Sequence, residues 1–189
     1  MQGRAYLDQI AGTISEGILV TNANLYLPDL VDVARRGVPV VLCLWERPDA
    51  PPEGLPCVAV NFREAGRIAT RHLLELGHKT IGVIVGGSAS GVRAAADRGR
   101  RVPDDLSIVG ITDIHLASDT RPTLTTVAIP TAEAAGLAVE LLNALREAGG
   151  RIDDAARVRT ASLPRLVVRG TTAPAGERAT RRAARSRLD

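Results

Sequence analysis

Short, continuous runs of Val, Leu and Ile alternate along the chain with longer stretches in which apolar residues recur every three or four positions. The short runs are Gly17–Val20, Val38–Leu44, Val58–Val60, Ile81–Val85, Leu106–Ile111, Leu124–Ile129 and Leu166–Val168. Each has the length and character of a strand covered on both faces. Helical spacing marks Arg4–Ile14 and a segment from Pro28 that carries Leu30, Val31, Val33 and Ala34. It also marks Ala65–Leu76 and the stretch after Pro130, with Leu137, Ala138, Leu141, Leu142 and Leu145 on its apolar face. Pro28 suits the first turn of its helix, and Gly37 and Gly77 suit helix ends. Gly91–Gly99 has room for a short helix, Arg47–Pro56 reads as a proline-rich loop, and Pro103–Asp105 reads as a turn. Beyond Pro174 the composition turns to Ala, Arg and Ser, and a frayed or disordered end is expected. The alternation predicts an α/β fold with mainly parallel sheets.

Composition narrows this picture. The aromatic residues are Trp45, Phe62, Tyr6 and Tyr26, so the core must be built from Val, Leu, Ile and Ala. The formal charge is +3. The whole excess lies in Gly176–Asp189, where five arginines face Glu177 and Asp189, and the rest of the chain is neutral. A tail of this kind attracts phosphate without sequence preference, or is simply solvated. Cys43 and Cys57 form no CxxC pair and read as buried thiols in a reducing compartment. No apolar run reaches membrane-spanning length and no secretory leader pattern opens the chain, so a cytoplasmic protein is expected.

Catalytic patterns are missing. Ser88 and Ser90 lie near glycines but in no G-x-S-x-G elbow, and GGSASG lacks the lysine and spacing of a phosphate-gripping loop. Asp113, His115 and Asp119 share a polar loop with no nucleophile beside them. His72 and His78 are wrongly spaced for a metal pair on one helical face. No enzyme activity, cofactor or metal site is expected. An α/β protein usually binds something small at the carboxyl ends of its strands. That rule draws attention to the loop between Leu106–Ile111 and Leu124–Ile129.

The segments AGRIATRHLLELGHKTIGVIVGG, VPDDLSIVGITDIHLASDTRPTLTTVAIPTAEAAGLAVELL and LPRLVVRGTTAP, in that order, resemble the effector-binding core of the lactose and galactose repressor family of bacterial transcription regulators. TISEGILV and RRGVPVVLC fit the part before them. The resemblance implies a periplasmic-binding-protein-like type I architecture of two lobes that hold a small, sugar-like effector. It also implies dimerisation, as a homodimer or a mixed dimer with a related repressor. The lobes are expected at residues 1–77 and 78–174, with a basic tail at 175–189.

Against the family pattern the chain departs in three ways. No helix pair matching the DNA-reading headpiece precedes Thr13, so no sequence-specific DNA contact is expected from this chain. Only GVRAAADRGRRVP stands where a long second-lobe segment is expected, which gives a truncated architecture. The contact positions also differ. Thr112 and Asp113 stand where the family has two acidic residues, Asn61 and Phe62 where it has Asp-Asn, and Trp45 where an acidic or polar residue is usual. The resemblance therefore implies Trp45, Asn61, Thr112 and Asp113 as effector contacts. Capping and turn work at strand ends is the other role for such residues. A non-binding remnant that only pairs with a full-length repressor is the alternative function.

Overall fold

A computed structural model describes residues 16–21, 27–81, 94–151, 153 and 156–175. The elements are β1 (Ile18–Val20), α1 (Leu27–Arg35), β2 (Val40–Trp45), β3 (Cys57–Ala59), α2 (Phe62–Glu75), β4 (Val109–Thr112), α3 (Leu116–Asp119), β5 (Thr125–Ala128), α4 (Thr131–Glu147), β6 (Val158–Thr160) and β7 (Arg165–Val167). The expected helix at Arg4–Ile14, nearly all of the strand Ile81–Val85 and the arginine tail lie outside the described residues. So does the first part of Gly91–Gly99, whose remainder is a helical turn at 94–97. Two compact units result: residues 1–61 with 130–163, and 62–129 with 164–189.

The first unit is built on a parallel sheet in the order β1-β2-β3-β6. Side chains alternate across a strand. Val40 and Leu42 join Leu30 and Val33 of α1, with Leu55 and Cys57, in one buried cluster. Val41 and Cys43 therefore face the opposite side, where α4 packs along β1, β2 and β3. The buried positions of α4 are Ala134, Ala138, Leu141 and Leu145, spaced at three and four as the sequence pattern requires. Fully burying one such leucine stabilises the fold by about 2 kcal/mol. At Gly17 the chain passes so near α4 that a Cβ would stand 2.8 Å from Leu142 Cδ1.

The second unit carries the sheet β4-β5-β7, in which β4 and β5 are parallel and β7 is antiparallel to β5. Helix α2 packs on all three strands. It ends as the glycine predicted: Gly77 has φ +82, its N–H donates to Leu74 O, and the His78 N–H donates to Leu73 O. These are the two bonds of a Schellman cap. Strand β4 begins at Val109 rather than at Leu106, because residues 102–105 form the turn and the Ile108 N–H donates to Thr171 O beyond β7. The parallel strand β6 and the short helix α3 are additions to the elements expected from sequence. No helix among the described residues is long and apolar enough to cross a membrane.

Candidate functional site

The candidate residues stand at the carboxyl ends of strands, two in each unit. In the first unit the pairing of β2 with β3 shifts by one residue between Cys43 and Trp45. Leu44 is the extra residue, with φ 63. This bulge turns the strand end, and the Val60 N–H then donates to Trp45 O at 2.9 Å. Asn61 follows Val60 directly, so Trp45 and Asn61 close neighbouring strand ends. The Trp45 indole N–H lies 3.0 Å from both Arg47 O and Ala50 O, which draws the proline-rich loop over the ring edge. The ring packs against the α1 cluster and stays half-buried.

In the second unit, β4 ends in two consecutive residues with left-handed backbone, Thr112 (φ 96) and Asp113 (φ 52). Such a conformation is costly for a β-branched threonine and easier for an aspartate. Asp113 is tied down from the neighbouring strand. Its Oδ1 accepts from the Thr126 hydroxyl at 2.6 Å and from Arg169 Nη1 at 2.7 Å. The Arg169 guanidinium beside it holds the Asp113 carboxyl below the usual aspartate range, with the Thr126 hydroxyl adding to the effect and partial burial opposing it. The Asp113 and Arg169 side chains are 17% and 21% exposed, so solvent screens this pair less than a surface ion pair.

Beneath this pair runs a ladder of threonines. The Thr125 N–H donates to Thr171 Oγ1 at 2.8 Å, and the Thr171 hydroxyl donates to Ile108 O at 2.7 Å. Thr125 Oγ1 meets Thr172 Oγ1, which in turn meets His72 Nε2 at 3.1 Å. Burial pushes the His72 pKa down, which favours the neutral ring. His78 Nε2 donates to Ala173 O at 3.1 Å. Both histidines of α2 and its exit therefore hold the segment after β7. His115 pairs with Asp119 on the exposed surface of α3. Among the described residues no group of three or more His, Cys, Asp or Glu side chains could hold a metal ion.

Sequence reasoning missed Arg169 and Thr126. The available signal was an arginine directly after the apolar run Leu166–Val168 and a pair of threonines inside the run Leu124–Ile129. A separate concavity of about 890 Å³ lies at the opposite, amino-terminal end of the first unit's strands, lined by Val38, Pro39, Pro56, Leu145, Arg151 and Arg157 among others.

Comparison with known proteins agrees with this architecture. Residues 2–128 match the family described as periplasmic binding proteins and sugar binding domain of LacI family, and residues 87–172 match a periplasmic binding protein-like domain. An uncharacterized HTH-type transcriptional regulator of Streptomyces limosus is 41% identical over 113 residues, which are 58% of this chain and 30% of that protein. The HTH-type transcriptional regulator MalR of Streptomyces coelicolor is 44% identical over 88 residues, 46% of this chain and 24% of that one. The matches thus span less than a third of either relative's length. Among solved structures, a LacI family transcriptional regulator from Mycobacterium smegmatis superposes with a TM-score of 0.74 at 23% identity, over 92% of this chain and 84% of that one. A complex of the transcriptional regulator CelR with cellobiose gives 0.74 at 22% identity, over 89% and 69%. A LacI family regulator from Enterococcus faecalis with bound ribose gives 0.74 at 17% identity, over 90% and 82%. These structural likenesses speak for the fold alone. With well over half of its residues matched, the chain belongs to the family of periplasmic binding proteins and LacI-type sugar-binding domains.

Proposed function

We propose that the chain is the part of a cytoplasmic transcription regulator that senses a small, polyhydroxylated effector, with Trp45, Asn61, Thr112 and Asp113 as contacts. The observation that carries this reading is the left-handed pair Thr112 and Asp113 at the carboxyl end of β4. Backbone strain of this kind, held by surrounding bonds, is concentrated at ligand clamps and switches. The second left-handed strand end, at Leu44 before Trp45, adds to it. Sugar hydroxyls suit the side chains available: an amide and a hydroxyl that donate and accept, a carboxylate that accepts, and an indole face as apolar surface. The cellobiose and ribose held by two structural relatives fit the same ligand class. In this reading the chain works as a dimer, with a second copy or with a related regulator.

Calorimetric titration with a panel of mono- and disaccharides that includes ribose and cellobiose tests the reading. Saturable binding by one of them is expected. Thr112→Val and Asn61→Ala should each weaken it roughly tenfold, the loss of one to two hydrogen bonds to ligand. A folded chain that takes up no sugar of the panel contradicts the reading.

A further inference from the structure

We infer that Arg169 is a positioning residue for effector binding: it sets the turn at Thr112 and Asp113 by holding Asp113, without touching the ligand itself. This rests on the reading of Thr112 and Asp113 as effector contacts. Arg169 follows β7, and its own backbone is anchored, because its N–H donates to Thr125 Oγ1 at 2.9 Å. Its Nη1 reaches three acceptors: Asp113 Oδ1 at 2.7 Å, Leu124 O at 2.8 Å and Thr126 Oγ1 at 3.0 Å. One guanidinium therefore links the residue after β4 to two residues at the start of β5.

The bonds to Asp113 converge on Oδ1, from Arg169 and from the Thr126 hydroxyl. Among the described residues Oδ2 carries none, which leaves it as the acceptor for a ligand hydroxyl. The same two bonds fix the side chain of a residue whose backbone, like that of Thr112 before it, lies in a region L-residues rarely adopt. Removing the guanidinium frees the carboxylate to rotate and lets both residues relax toward extended backbone. The ligand then meets a turn that must be ordered on binding, and affinity falls. Lysine keeps the charge, but its ammonium sits at the end of a flexible stem and lacks the fixed plane that delivers Nη1 to these acceptors, so it replaces the arginine only in part.

The test pairs a measurement without ligand and one with it. Amide hydrogen exchange, followed by NMR, is compared in wild type, Arg169→Gln, Arg169→Lys, Asp113→Asn and the double variant Asp113→Asn/Arg169→Gln. Arg169→Gln is expected to speed exchange at least tenfold at residues 112–114 while Val127 and Val167 stay within twofold of wild type. Asp113→Asn should give the same pattern, the double variant no more than either alone, and lysine an intermediate rate. Equal acceleration along β5 and β7 would mean that Arg169 only staples the sheet. That result overturns the inference, as does unchanged exchange at 112–114 or a double variant in which the two effects simply multiply.

With the tightest-binding sugar of the calorimetric panel, Arg169→Gln should weaken affinity about tenfold and Arg169→Lys should recover part of it. If Thr112→Val weakens binding and Arg169→Gln does not, the effector site stands and the positioning role fails. If no sugar of the panel binds, the effector reading loses its support while the exchange pattern still decides whether Arg169 holds the turn.

Discussion

Thr171→Val separates two accounts of what holds the second unit together. Thr171 is fully buried, and its hydroxyl serves two backbone groups: it accepts from the Thr125 N–H at 2.8 Å and donates to Ile108 O at 2.7 Å. Valine has the same shape and is more apolar, so counting apolar burial alone predicts a neutral or stabilising change. Counting hydrogen bonds predicts the reverse. Each buried group left without its partner costs about 1–3 kcal/mol, so losing both costs about 3 kcal/mol after local relaxation. Thr171→Ser keeps both bonds and loses one methyl, which costs about 1 kcal/mol. For a chain of this length each kcal/mol moves Tm by about 2–4 °C, so the expected losses are roughly 6–12 °C for valine and 2–4 °C for serine. Thermal melts by far-UV circular dichroism suit the comparison, because Trp45, the sole tryptophan, lies in the first unit and would report that unit in fluorescence. A valine variant at least as stable as the serine variant would refute the hydrogen-bond reasoning.

Other outcomes follow from the same structure. Gly136 lies inside α4, and nothing stands within 4 Å of the place an alanine Cβ would take, so Gly136→Ala should raise stability by about 1 kcal/mol in a urea melt, and a loss would show that α4 needs the glycine. Burial pushes the Cys57 thiol up to about 11 and raises Cys43 as well, so neither should react with a disulfide reagent at pH 8 until the chain is unfolded. Rapid labelling of the native chain would contradict their burial. The Asp113 carboxyl titrates below its unfolded value, so its ionised form favours the fold: the contribution is complete above the unfolded pKa of about 4 and is lost as pH falls through the depressed value. The stability gap between wild type and Asp113→Asn should therefore shrink on acidification below about pH 4. A gap independent of pH would mean that the Arg169 pair contributes nothing.

The apolar runs made the central strands legible, since Val40, Val41 and Leu42 are hidden on both faces and leave no room for polar residues. Strand β6 escaped because it reads Val-Arg-Thr: it is half-buried at one edge of its sheet, and its Arg159 reaches Glu140 at 3.0 Å. The antiparallel direction of β7 was not written in its apolar run, which looks the same in either sense. For the candidate site, the resemblance to the repressor family pointed to Trp45, Asn61, Thr112 and Asp113, and each of them stands at the carboxyl end of a strand. The use of each side chain was not legible. The indole N–H of Trp45 is taken by loop carbonyls, and the partner of Asp113 is 56 residues away along the chain. Such pairings depend on how the strands lie side by side, which no local pattern encodes.

The most direct test of the effector site is an NMR titration of the isotopically labelled chain with the tightest-binding sugar of the calorimetric panel. The largest shifts are expected at the Trp45 indole N–H, the Asn61 side-chain amide and the backbone amides of Thr112 and Asp113. Shifts confined to the opposite end of the first unit, around Val38, Leu145 and Arg157, would contradict the account.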